Sequence, residues 1–310
     1  MRAVALAGGV GGARLAHGLQ RVLAPGELVV VVNVADDLER HGLVVSPDQD
    51  TVLYTLAGLA DRERGWGLAG ETWSALDQLG RLGEETWFAI GDRDLALHVV
   101  RTARLRAGAR PTEVALELAA RLGVPSRILP VTDDTIRTRV RTPDGWLDFQ
   151  DYFVRLRCEP EVLEVTVDGA ARARPTPEVL ASLATAERIV VCPSNPVVSI
   201  GPIMAVPGMP AAVRAARDRG VPVVAVSPIV AGRALRGPAD RMLVSLGGQA
   251  SVVEVARRYV DLADILVIDE ADAGLAGQVA ATGIRPLVAP TVMTDDAARA
   301  ELARAVLAAA

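Results

Sequence analysis

The sequence contains no lysine, and all 33 of its basic residues are arginine. That absence excludes a GxxxxGK[ST] phosphate loop, the strand lysine of a protein kinase, and any enzyme working through a lysine Schiff base. Phosphate chemistry in this chain has to rest on arginine, backbone amides and metal. Cysteine is scarce too: Cys158 and Cys192 lie far apart without CxxC spacing. This argues against a disulfide framework or a zinc site and fits a reducing, cytoplasmic setting. The three histidines, His17, His41 and His98, are too scattered for a histidine metal cage. Aromatics make up only 3% of the residues, so the core is aliphatic, built from Ala, Val and Leu. A net charge of -5 offers no basic stripe for nucleic acid. No uncharged apolar run reaches the roughly 18 residues of a membrane span. The first strand runs into glycines, where a signal peptide would place a small-residue cleavage site.

What remains is an α/β pattern. With 310 residues, half of them hydrophobic, the chain suits one large domain with an insertion, or two domains sharing an interface. Residues 3–7 form a short apolar run, residues 8–12 a glycine turn, and Leu15, Leu19 and Leu23 have helical spacing. This is the opening unit of a doubly wound sheet. Residues 28–34 read as a strand buried on both faces, and strand patterning returns at 188–192, 221–226 and 264–269. Helices are predicted over 50–59, 74–82, 94–107, 112–122 and 295–309. Residues 136–167 change character, with alternating arginine-rich segments, a Pro-Asp-Gly turn and clustered aromatics, and read as a small antiparallel insertion. The expected division is a core of residues 1–135 and 186–310 with a β-rich insertion at 136–185.

Five segments carry candidate chemistry. AGGVGGAR (residues 7–14) joins a strand to a helix, where glycines admit an anion close to the backbone and the helix N-terminus supplies N–H groups. A ligand-free tight turn is the alternative. The spacing is not GxGxxG, but Asp36 and Asp37 follow at roughly the distance of a dinucleotide fold's acid, so a nicotinamide oxidoreductase stays open. Asp36 and Asp37 suit either a hard cation such as Mg²⁺ or an Asx-type turn. Asp48 and Asp50 lie where a short loop opens a helix: Asp48 suits a solvated turn and Asp50 an N-cap, or Asp50 faces the Asp37 carboxylate with a metal or a substrate hydroxyl between them. In Gly91-Asp92-Arg93-Asp94 the arginine suits an internal ion pair or a substrate phosphate equally. CPSNPVVSIGP (residues 192–202) is a rigid polar loop fit for a base or phosphate, or simply a proline-stiffened connection.

In this order the segments strongly resemble the 2-phospho-L-lactate transferase family of coenzyme F420 biosynthesis, its bacterial branch most closely. The resemblance is carried by AGGVGGAR, VVNVADD (31–37), HGLVVSPDQDTVLYTLAG (41–58), RGWG (64–67), ETWSA (71–75), GDRDLALHVVRT (91–102), LPVTDD (129–134), PSNPVVSIGPI (193–203) and RGPAD (236–240). It implies a Rossmann-like α/β sheet with a smaller inserted subdomain. It also implies an Mg²⁺-dependent reaction in which FO, a hydroxy-deazariboflavin, takes a phospho-acid from a guanosine diphosphate donor and GMP leaves. Whether the acid is lactate, enolpyruvate or glycerate is left open. By the same resemblance Asp50 and Arg93 contact FO, Asp50 is catalytic, and Asp37 with Asp50 holds Mg²⁺. Gly8, Gly9, Gly11, Gly12, Ser194, Asn195, Ser199 and Gly201 contact the diphosphate and guanosine, and Asp133 and Asp134 reach the deazaflavin. A cytoplasmic homodimer is expected, with no nucleic acid or membrane partner. Val34 and Arg14 stand where archaeal members often carry threonine and lysine. The alternative is a non-catalytic sugar-nucleotide-binding regulator sharing the glycine loop, against which the SPDQDT and GDRD blocks argue.

Overall fold

The computed structural model describes residues 1–309. Its centre is a seven-stranded parallel sheet. Strand β1 (Ala3–Ala7) pairs on one side with β2 (Leu28–Val32), which pairs with the later edge strand Arg127–Pro130. On its other side β1 pairs with Arg188–Val191, followed outward by Val223–Val226, Ile265–Ile268 and Arg285–Val288. The winding therefore reverses between β1 and Arg188–Val191, and a doubly wound sheet binds its ligands at such a reversal.

Alternation along the strands explains the two-sided core. Ala3, Ala5, Ala7, Leu28, Val30 and Val32 face one helical layer, and Val4, Leu6, Val29 and Val31 face the other. Helix α1 (Gly9–Val22) buries Leu15 and Leu19 in the first layer, beside α2 (Pro47–Leu56) and the C-terminal helix Asp296–Ala308. Val179 and Leu183 of the helix Pro177–Ala184 enter the second layer. That helix packs on the main sheet, and the inserted antiparallel sheet is made of Gly145–Asp148, Arg137–Thr142 and Glu164–Asp168. The doubly wound sheet with a small antiparallel insertion is as the sequence predicts. Among the described residues no single helix is long and apolar enough to cross a membrane.

A hairpin absent from the sequence reading joins β3 (Leu38–Arg40) to β4 (Leu43–Val45). Its turn places His41 at φ 50° and Gly42 at φ 73°, the two positive values that a tight two-residue hairpin turn requires. Helices α3 (Ser74–Arg81) and α4 (Asp92–Arg106) follow, and α4 packs against β4.

Gly18 fixes how α1 meets the C-terminal helix. A Cβ at this position would overlap the Arg299 carbonyl and lie 3.2 Å from the Arg299 Cβ. Gly18→Ala is expected to destabilise the protein by about 1–3 kcal/mol through overpacking, outweighing alanine's helix advantage of about 1 kcal/mol. The midpoint of urea unfolding checks this, and a midpoint above wild type would contradict it.

Candidate active site

The glycine loop is held from outside because its own N-cap has no side chain. Gly8 is extended (φ -156°) at the cap of α1. Ser194 Oγ accepts from the Gly8 N–H at 3.0 Å and donates to the Gly8 carbonyl at 2.8 Å. Asp48 Oδ1 accepts from the Gly9 N–H at 2.7 Å, and Gly9 itself has φ 63°. A Cβ on Gly8 would approach Asp48 Oδ2 to 2.5 Å and Ser199 Cβ to 2.8 Å, and one on Gly12 would approach Ser194 Oγ to 2.5 Å. At Gly11 a Cβ would overlap the Pro193 carbonyl. Gly8, Gly9, Gly11, Gly12, Ser194 and Ser199 thus converge at the reversal of the sheet. The first-turn N–H groups of α1 have no intrahelical acceptors, so those beyond Gly9 are free to point at an anion. Asn195 turns inward instead, with Oδ1 accepting from the Val197 N–H at 2.9 Å, and Gly201 opens the short helix that follows.

Asp48 is buried and organises the loop. Its second oxygen accepts from Asn33 Nδ2 at 3.0 Å, and Asn33 Nδ2 also reaches the Val198 carbonyl at 3.2 Å. One carboxylate thereby joins the glycine loop, the end of β2 and the segment after Ser194. Burial pushes Asp48 up to about 6. Asp36 is raised well above the usual carboxylate range, by burial first and then by the neighbouring Asp48.

Ser46 is the N-cap of α2, with Asp50 one turn inside the helix. Ser46 also joins the two predicted metal ligands, since its Oγ donates to Asp37 Oδ2 at 2.9 Å and its N–H to Asp50 Oδ2 at 3.3 Å. Asp37 Oδ1 is buried without a partner among the described residues, and burial pushes this carboxyl up to about 7. Both Asp50 oxygens accept from Arg101, which is 2% exposed on α4; the Nη1 to Oδ2 contact is 3.0 Å. Arg101 Nη1 also lies 3.2 Å from His98 Nδ1, whose Nε2 is 3.1 Å from Asp94 Oδ2. Tyr54 of α2 donates to Asp94 as well. Although burial works to raise Asp94, the contacts from His98 and Tyr54 outweigh it and leave its pKa lowered. Asp48, Arg101, His98 and Tyr54 are the participants the sequence reading did not single out. The signal available was only that all four lie inside the HGLVVSPDQDTVLYTLAG and GDRDLALHVVRT blocks.

The other predicted residues serve different neighbours. Neither acid beside Arg93 pairs with it among the described residues. Asp92 accepts from the Ser74 and Ala75 N–H groups at 3.0 and 2.9 Å, and Glu71 caps α4 through the Arg93 and Asp94 N–H groups at 2.7 and 3.1 Å. The exposed Arg93 guanidinium donates to the Ala69 carbonyl. Asp133 accepts from Thr112 N and Oγ1 at 2.8 and 2.7 Å, and Asp134 accepts from the Arg174 N–H at 2.9 Å. Both stand beyond the edge strand Arg127–Pro130, outside the hydrogen-bonded cluster at the glycine loop. A shallow groove leaves that cluster between α1 and α2, lined by Val10, Arg14, Thr51, Tyr54, Gly65 and Trp66 among others.

The 2-phospho-L-lactate transferase CofD family model matches residues 3–306. The chain is 43% identical to a phosphoenolpyruvate transferase of Streptomyces griseus, over 99% of this chain and 98% of the relative. It is 44% identical to that of Kitasatospora aureofaciens, over 99% and 97%. It is 37% identical to a 2-phospho-L-lactate transferase of Methanosarcina mazei, over 98% and 99%. Among solved structures, a UPF0052 family member from Bacillus halodurans superposes with a TM-score of 0.62, at 16% identity over 99% of this chain and 98% of that one. That likeness bears on the fold alone.

Asp48 sets a pH dependence of unusual sign. The folded carboxyl holds its proton more tightly than the unfolded one, which titrates near pH 3.9. Its contribution to stability is therefore complete below about pH 4 and is lost as pH rises through its folded value of about 6. In chelator-treated protein, the melting temperature of wild type should fall relative to that of Asp48→Asn across this window. Parallel melting curves against pH would contradict the assignment.

Proposed function

The chain belongs to the 2-phospho-L-lactate transferase CofD family, and on that premise we propose that it transfers a phospholactyl or phosphoenolpyruvyl group from a guanosine diphosphate donor to FO. The supporting observation is the meeting of an anion-ready glycine loop with the Asp37–Ser46–Asp50 cluster at the reversal of the sheet. In this reading the first turn of α1 receives the diphosphate and the segment 194–201 receives the guanosine. Arg93 faces the acceptor. The terminal ribityl hydroxyl of FO attacks the phosphorus distal to guanosine, its proton passes to Asp50, and the bond to GMP breaks as the new phosphodiester forms. Arg101 bonds both oxygens of Asp50 and fixes the carboxylate in direction. The protein forms no covalent bond, so placement and charge stabilisation account for the rate.

The residues also suit a divalent cation held in part by substrate. Asp37 Oδ1 is a buried hard-oxygen donor without a partner among the described residues. Asp50 would join the shell only by releasing part of its bond to Arg101. No group of three or more metal-ligating side chains stands together among the described residues. Mg²⁺ typically completes such a partial shell with phosphate oxygens and water, and when bound it would neutralise charge on the diphosphate.

The test mixes purified protein, FO and Mg²⁺ with the lactate, enolpyruvate or glycerate donor and reads product mass. The expected result is an FO phosphodiester and equimolar GMP from at least one donor, abolished by EDTA and restored by Mg²⁺ or Mn²⁺. Absence of an FO adduct with every donor would overturn the transfer reading, and full turnover in excess EDTA would overturn the metal.

A further inference from the structure

The groove beside the glycine loop is rimmed by arginines whose pairing is uneven. Arg62 and Arg299 line it, and both are held by Asp296, at 3.1 and 3.3 Å. Arg14 also lines it, partly buried, and makes no hydrogen bond or ion pair with any described residue. Arg236, from the RGPAD segment, is likewise unpaired among the described residues. Its guanidinium lies over Gly65 in the groove wall, so close that a Cβ on Gly65 would come within 2.8 Å of its Cζ. The two side chains sense each other: burial first, and then the charge of Arg236, lowers the pKa of Arg14. Two guanidiniums that repel each other, one of them half-desolvated, are an unfavourable arrangement unless an anion joins them.

The direction of the groove identifies that anion. On α1, Val10 and Arg14 are four residues apart and share the face turned toward α2. Gly11 and Gly12 face Pro193 and Ser194 on the other side, and Gly8 sits between Asp48 and Ser199. A donor whose guanosine lies against 194–201, and whose diphosphate crosses the first turn of α1, directs its far end into the groove. We propose that Arg14 and Arg236 form an oxyanion subsite that takes the carboxylate of the donor's phospho-acid. This rests on the proposed function and assigns the two arginines to donor recognition. Two planar forks suit a carboxylate in a bidentate manner.

Calorimetry on the full chain with three probes tests this: GDP, the carboxymethyl ester of GDP on its β-phosphate, and the matching methyl ester. The first ester carries a carboxylate and the second does not. Wild type should bind the carboxymethyl ester about tenfold or more tightly than the methyl ester, as expected for a charge-assisted contact. Arg14→Gln and Arg236→Gln should each reduce that preference while leaving methyl-ester binding close to wild type, and Arg14→Lys should retain part of it. Arg236 lies in an exposed loop, so its variant remains informative if Arg14→Gln folds poorly. Equal loss for both esters would assign the arginines to the diphosphate and overturn the proposal. Weakened FO binding with an unchanged ester preference would assign them to the acceptor and also overturn it. GDP binding without any ester preference in wild type would remove the subsite and leave the transferase reading standing. Failure of wild type to bind GDP at all would remove the donor reading and the subsite with it.

Discussion

A single buried guanidinium decides the geometry of the acidic pocket. Arg101 enters from α4 and bonds both oxygens of Asp50, beside Asp37 and behind the short hairpin that ends at Val45. Carboxylates crowded out of water drift toward protonation, as Asp36, Asp37 and Asp48 do. Both oxygens of Asp50 accept from Arg101. Breaking such a pair by removing one partner typically costs about 3–5 kcal/mol, because the other charge stays buried. The pair is suited to holding one carboxylate in one direction.

The rest of the pocket follows from seating α4. Glu71 caps α4 and Asp92 caps α3, so the two helices hold each other's N-termini. His98 and Asp94 extend the Arg101 network back to Tyr54 on α2, the helix that carries Asp50. Asp48, on the same helix, reaches the glycine loop. A displacement of α4 would thus be felt at Asp50, and a displacement of α2 at both Asp50 and the phosphate-ready turn. Placement to within a fraction of an ångström is what phosphoryl transfer demands of its protein.

The sheet and its glycine loop were legible because each is specified locally. AVALA and LVVVV are continuous apolar strands, and no other segment concentrates four glycines between a strand and a helix. The hairpin at 38–45 was not legible: its strands have three residues each, and His41-Gly42 is an uncommon tight turn. The edge strand Arg285–Val288 carries Pro286 and exposed ends, so it lacks the pattern of a buried strand. Among site residues, Asp37 and Asp50 could be proposed from their neighbours in sequence. Asp48 looked like a turn residue because its partners, Gly9 and Asn33, lie 39 and 15 positions away. Arg101 is 51 positions from Asp50, and spacing alone cannot announce such a pair. Asp92 and Asp133 are good helix caps for helices other than the one their sequence position suggests.

In the proposed mechanism the Asp50 carboxylate, held by Arg101, receives the proton of the acceptor hydroxyl. Steady-state kinetics of Asp50→Asn with FO saturating, run well below its melting temperature, address it most directly. A kcat lowered by about 10²–10⁴-fold is expected, with GDP still bound through the glycine loop and a melting temperature lowered by the unpaired Arg101. A kcat near wild type in a variant that has lost only stability would contradict it, leaving the Arg101–Asp50 pair a structural feature alone.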